Sequence, residues 1–170
     1  MKRLWVLLML VALLLPFPAQ AQAPTTATLA ARLQQFEDRA EIERLLLDYG
    51  RHLDSRDFVA YGRLFAKDGE WVGGFGTAPG GPAGIQAFME KAMGTAPNRA
   101  NNYHLLSNFV ITVTGDTATA WSRWAFVVPG PAGATIAQAG RYDDLLVREN
   151  GRWRFKRRTA SNDTAAPLAK

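Results

Sequence analysis

From Leu29 to Leu53 apolar residues return every three or four positions: Leu33, Phe36 and Ala40, then Ile42, Leu45, Leu46, Tyr49 and Leu53. The positions between them carry Arg32, Gln35, Arg39, Glu43 and Arg51. This period predicts an amphipathic helix, and the shift in register allows a bend near Asp38–Ala40. Asp54-Ser55-Arg56-Asp57 interrupts the stripe with cap-forming residues, and a second helix is predicted over Phe58–Phe65. Glu70-Trp71-Val72 reads as a short strand. The stretch Gly73–Gly84 holds six Gly and two Pro and reads as a loop. Ile85, Phe88, Met89 and Ala92 then mark a third helix. Beyond Asn102 the period becomes two. Strands are predicted over 103–113, 117–128, 135–148 and 152–160, separated by turn sequences of which Asn150-Gly151 is the strongest hairpin signal. Helices followed by an antiparallel meander make an α+β domain, in which the helices cover one face of the curled sheet.

The N-terminus has a different pattern. Lys2 and Arg3 precede an unbroken apolar run, Leu4–Leu15, of twelve residues. Pro16 and Pro18 end that run, and Ala19-Gln20-Ala21 supplies small residues for cleavage. This is the layout of a secretory signal peptide, and the run is shorter than the ~20 residues of a membrane span. The expected organisation is a signal peptide over 1–21 (cleavage after 23 fits nearly as well), a flexible leader over 22–28, one domain over 29–161 and a tail over 162–170. The mature chain is then expected in the periplasm or outside the cell. Loss of Lys2 and Arg3 lowers the formal charge from +5 to +3. So small an excess argues against a nucleic-acid partner. With no Cys in the chain, thiol chemistry and disulfide staples are excluded. No phosphate loop, dinucleotide fingerprint or metal-ligand spacing occurs, so no cofactor and no metal are expected.

Several segments, in this order, resemble the SnoaL-like branch of the nuclear transport factor 2-like superfamily. They are IERLLLDYGRHLDSRD from Ile42, LFAKDGEW from Leu64, Gly84-Ile85, HLLSN from His104, GDTA from Gly115, and GRYDDLLVRENGRWRFKRR from Gly140. Together they span Ala31 to Arg158. The resemblance implies a cone: a curved antiparallel sheet, about four long strands plus a short one, with three helices closing an apolar pocket. It implies no single activity. Its branches resemble polyketide cyclases, ketosteroid isomerases, scytalone and bile-acid dehydratases, epoxide hydrolases and dioxygenase small subunits, and homodimers are expected throughout.

The candidate catalytic residues are Tyr49, Asp54 and His104. A carboxylate in an apolar pocket can take or give a proton, and a phenol can donate to a developing oxyanion. The dehydratases of the superfamily carry a Tyr and an Asp at this spacing and a His at this strand. Asp54 also suits the N-cap of the second helix, and Tyr49 suits a core aromatic. His104 shares its alternating face with Leu106, Asn108 and Val110. Trp124, Phe126, Tyr142, Asn108 and Trp71 are the expected pocket lining. His52 reads as a partly exposed helix residue, and the basic run Arg152–Arg158 as a solvated edge strand. The next strand lacks the second acid or His that some dehydratases carry. The expected activity is a cofactor-independent lyase or isomerase acting next to a carbonyl of a small hydrophobic oxygenated molecule. The alternatives are a non-catalytic periplasmic ligand-binding module and an assembly subunit working through the convex sheet face.

Overall fold

A computed structural model describes residues 25–163; the predicted signal peptide and most of the tail lie outside them. Helix α1 (Thr26–Ser55) is one 30-residue helix. It begins inside the segment expected to be leader, where the Thr25 side chain caps it by accepting from the Thr28 N–H. No break interrupts it near Asp38–Ala40: the helix runs through Asp38, whose carboxylate ties it to the sheet. Asp38 accepts from Arg148 Nη2 at 2.5 Å, Gln34 Nε2 at 3.0 Å and Trp153 Nε1 at 3.3 Å. Ile42, Leu45, Leu46, Tyr49 and Leu53 are buried, whereas Leu29, Leu33 and Phe36 are exposed. Arg56, in the left-handed region at φ 60°, stops α1. Asp57 caps the short α2 (Phe58–Gly62) by accepting from the Ala60 N–H. Asp54 is therefore not that cap.

The segment after α2 holds more strand than its composition suggests. Strand β1 (Phe65–Gly73) starts well before Glu70. The glycine-rich segment then supplies β2 (Gly76–Ala78), hairpinned onto β1, and the first turn of α3 (Gly81–Met93). Strands β3 (Tyr103–Thr114), β4 (Thr117–Gly130), β5 (Gly133–Glu149) and β6 (Arg152–Asn162) follow. The sheet has six strands in the order β2-β1-β6-β5-β4-β3. It is mixed, because β1 pairs with β6 in parallel. The sheet is curved and unclosed, and its concave face packs on the helices. The α+β class holds, with two corrections: the sheet is not wholly antiparallel, and β6 is a central strand, not a solvated edge. The basic run resembles an edge only until its apolar positions are paired: Trp153 and Phe155 are buried under α1.

Two bulges decide which side chains face the interior. In β6, Leu145 pairs with Arg157 and Leu146 with Phe155, leaving Lys156 as an extra residue. The extra residue shifts the two-residue alternation, so Arg158 lands on the same buried face as Phe155. In β3, Ser107 pairs with Arg123 and Val110 with Trp121, with Asn108 at φ 57°. There too the alternation slips. Phe109 and Ile111 turn to the core, while Asn108 and Val110 are exposed. The simple alternation expected along β3 therefore fails beyond Leu106, and Asn108 lines no pocket.

Candidate functional site

The end of α1 and the start of β3 meet at Gly50. A Cβ there would approach Leu106 Cδ1 to 2.8 Å and His104 Cβ to 3.8 Å, so the strand packs directly against the helix backbone and a larger side chain would have to move the end of Leu106. The contact brings Asp54, one turn further along α1, onto His104. Asp54 Oδ1 lies 2.6 Å from His104 Nδ1, and Oδ2 accepts from the His104 backbone N–H at 2.8 Å. Both oxygens are committed to one residue, which fixes the ring. A carboxylate can only accept, so Nδ1 carries the proton and Nε2 of the neutral ring presents its lone pair. The side chains are 13% (His104) and 19% (Asp54) exposed, so the pair lies partly open to solvent. Phe126 packs 4.9 Å and Trp124 6.1 Å from the imidazole, centroid to centroid. The loop before β3 is tied over this corner, where Asn98 Nδ2 donates to the Asp54 carbonyl at 2.9 Å.

Tyr49 belongs to a deeper layer. It is 1% exposed, and its hydroxyl accepts from Trp71 Nε1 at 2.9 Å. Its ring packs 4.9 Å from Tyr61 and 5.3 Å from Tyr142. Tyr142 in turn stacks on Trp124 at 5.9 Å. Trp124 thus sits between the Asp54–His104 pair and the tyrosine layer. Burial raises the Tyr49 hydroxyl above the ordinary phenol range, against the opposing charge of Arg158, so it stays protonated. Burial drives Tyr61 and Tyr142 higher still.

At the centre of that layer is a charged pair whose arginine the sequence pattern had placed on a solvated edge strand. Arg158 and Asp144, both side chains fully buried, form a two-pronged ion pair: Nε to Oδ1 and Nη2 to Oδ2, each 2.9 Å. The guanidinium lies 3.9 Å from the Tyr49 ring centroid, 4.0 Å from that of Tyr142 and 4.4 Å from that of Phe155. Burial pushes the Asp144 carboxyl up to about 6, with Arg158 pulling the other way. No period in the sequence could reveal this pair, because the β6 bulge hides the parity of Arg158. The one available signal was Tyr142 and Asp144 sharing a face of β5.

The remaining sequence candidates fall elsewhere. His52 lies 3.8 Å from Asp57 on the outer side of α1. Arg123 faces outward, over the Trp121 ring and paired with Asp163. Concavities of about 680, 410 and 500 Å³ lie on the outer sheet face and in the groove between α1 and β3, and none is lined by Asp54, Tyr49 or His104. Around Tyr49 the rings of Tyr61, Tyr142 and Phe155 lie in contact, with Trp124 stacked on Tyr142. Among the described residues no group of three or more His, Asp or Glu could hold a metal ion.

The SnoaL-like domain family matches residues 34–159, a span that takes in both the Asp54–His104 corner and the Asp144–Arg158 pair. The chain belongs to the SnoaL-like domain family. This SnoaL-like chain is 33% identical over 129 residues to the uncharacterized protein Rv2910c of Mycobacterium tuberculosis, covering 73% of this chain and 84% of that one. Among solved structures it is similar to an NTF2-like protein with a cystatin-like fold from Novosphingobium aromaticivorans. That similarity has 30% identity and a TM-score of 0.72, and covers 84% of this chain and 93% of that one. ActVI-ORFA of Streptomyces coelicolor shares the fold at 23% identity and a TM-score of 0.62, covering 74% and 97%.

Proposed function

We propose that this SnoaL-like protein is a cofactor-independent lyase or isomerase that moves a proton next to a carbonyl of a small, hydrophobic, oxygenated molecule. The observation that carries the reading is the Asp54–His104 pair, held at 2.6 Å in a partly exposed corner walled by Phe126 and Trp124. In this reading His104, not Asp54, is the base, because both Asp54 oxygens are already occupied. Nε2 removes the proton, and the carboxylate steadies the imidazolium that forms. Tyr49 takes no direct part, since it is 1% exposed and lies in the layer below Trp124. The Lys2-Arg3 start, the Leu4–Leu15 run and Ala19–Ala21 support export, and exposed Leu105, Val110 and Leu145 on the convex sheet face support a homodimer.

The test needs no known substrate. A panel of enolisable aryl ketones is incubated in D2O, and hydrogen–deuterium exchange next to the carbonyl is followed by NMR. Exchange above the buffer rate is expected with the wild-type protein, falling by ~10²–10⁴-fold in His104→Gln, the range for a positioned acid–base group. Exchange at the buffer rate across the panel removes the enzymatic reading. It would leave a ligand-binding module or an assembly subunit, and of these the closely packed core favours the assembly subunit.

A further inference from the structure

Residues 94–102, between α3 and β3, form no helix or strand. From Gly94 to Asn101 every residue is exposed except Asn98. Its Oδ1 accepts from the Ala100 N–H at 3.1 Å, which orients the amide with Nδ2 towards the Asp54–His104 corner. Nδ2 donates to the Asp54 carbonyl at 2.9 Å, and its other hydrogen is shared between Oδ1 of Asn102 at 2.5 Å and the Asn102 carbonyl at 3.3 Å. The Asp54 carbonyl belongs to the last turn of α1, where carbonyls have no partner within the helix, and Asn98 supplies one. Asn102 is two residues before His104. The contacts close a ring: the Asp54 carboxylate holds the His104 ring and backbone N–H, the chain leads back to Asn102, and Asn98 joins Asn102 to the Asp54 carbonyl. A further tie lies upstream, where Arg56 Nη1, just past α1, donates to the Met93 and Gly94 carbonyls.

We infer that Asn98 is a positioning residue for the Asp54–His104 pair: its amide donors clamp the end of α1 to the start of β3 and so set the separation and angle at which carboxylate and imidazole meet. The inference rests on the proposed proton transfer and adds to it a residue outside the reacting pair. Both members of the pair sit where secondary structure frays. Asp54 is next to last in α1, and His104 is second in β3. Packing at Gly50, one turn earlier, brings the two elements together but leaves the last turn of the helix to be held by other means. Asn98 does so with a short, uncharged group that offers donors on one side and an acceptor on the other. Asp at this position would keep the acceptor for Ala100 and turn a second carboxylate oxygen on the Asp54 and Asn102 carbonyls, where no donor remains. Misplacing a proton-transfer pair by ~1 Å costs up to ~10²-fold in rate, so the clamp bears on turnover without touching a ligand.

The test compares Asn98→Asp and Asn98→Ala with wild type in the full chain, with Arg99→Ala at the exposed neighbour as control. Asn98→Asp preserves the bond to Ala100, and with it any role in shaping the loop, but removes the donors to Asp54 and Asn102. The first reading is the His104 Nδ1–H proton by NMR, whose exchange with water its bond to Asp54 slows. That exchange is expected to be about tenfold faster in both Asn98 variants, the size of one or two lost hydrogen bonds, and unchanged in Arg99→Ala. The second reading is deuterium exchange into the ketone, expected to fall about tenfold to hundredfold at saturating ketone with KM unchanged. An Nδ1–H proton as protected in both variants as in the wild type overturns the inference. So does protection lost in Asn98→Ala alone, the pattern of a residue that only shapes the loop, or ketone exchange that Asn98→Asp leaves at the wild-type rate. Should Asn98→Asp fail to fold, the same two readings on Asn98→Ala decide the matter. The two claims fail separately. An Nδ1–H proton that depends on Asn98, without ketone exchange in the wild type, leaves the clamp and removes the base; ketone exchange in the wild type with an Nδ1–H proton indifferent to Asn98 does the reverse.

Discussion

Replacing Asp54 by Asn should reverse the tautomer of His104. The wild-type carboxylate accepts twice, from Nδ1 at 2.6 Å and from the His104 backbone N–H at 2.8 Å. Asn offers one acceptor and one donor. The backbone N–H has no choice of role, so the amide oxygen must take it, and the amide NH2 then faces Nδ1. An N–H cannot face an N–H, so the neutral ring must move its proton to Nε2 and accept at Nδ1. Exchanging a charge-assisted bond for a neutral one costs ~1–2 kcal/mol, about tenfold in any equilibrium it governs for each 1.4 kcal/mol. The kinetic effect is larger. With Nε2 protonated the ring has no lone pair facing the ligand, and ketone exchange should fall by ~10²–10⁴-fold. Long-range 1H–15N correlation spectra at a pH where histidines are neutral report the tautomer directly. The chain has two His, so His52, whose ring faces Asp57 rather than Asp54, serves as the internal standard. A His104 ring that stays protonated at Nδ1 in Asp54→Asn would refute this account of the pair.

Two further outcomes follow from the buried layer. The Asp144 carboxyl sits at about 6, above its ordinary 3.8. Between those values the native state therefore binds more protons than the unfolded chain, and this group's contribution to stability falls as pH rises. Asp38 runs the other way: hydrogen bonds from Arg148, Gln34 and Trp153 outweigh burial and lower it, so its contribution is lost as pH falls below the ordinary carboxylate range. Urea denaturation of wild type and Asp144→Asn from pH 4 to 7 should show the wild-type advantage shrinking as pH rises towards 6; an advantage that grows contradicts the assignment. At Gly140 a Cβ would lie 2.0 Å from the Ser161 carbonyl oxygen and 2.8 Å from Trp124 Cζ2. Gly140→Ala should cost ~1–3 kcal/mol by overpacking and shift the tryptophan fluorescence, whereas unchanged denaturation and emission would show that the strands part freely.

The sequence by itself determined the α+β class, three helices, the four long strands and the family. Those features follow from short-range periodicity, Ile42 through Leu53 for the helix and the alternation from Tyr103 onward for the sheet. It also placed Asp54 and His104 among the residues worth testing, because few side chains combine with an apolar surround to move a proton. Tertiary structure decided the rest. Which face a strand residue takes depends on bulges, and a single extra residue, Lys156 in β6 or Asn108 in β3, reverses every assignment beyond it. That is why Arg158 passed for a surface cation and Asn108 for a pocket residue. The parallel pairing of β1 with β6 joins segments far apart in the chain, so no local pattern announces that β6 is central. The partnership of Asp54 with His104 depends on α1 and β3 closing at Gly50, a distance between elements that periodicity within either one does not encode.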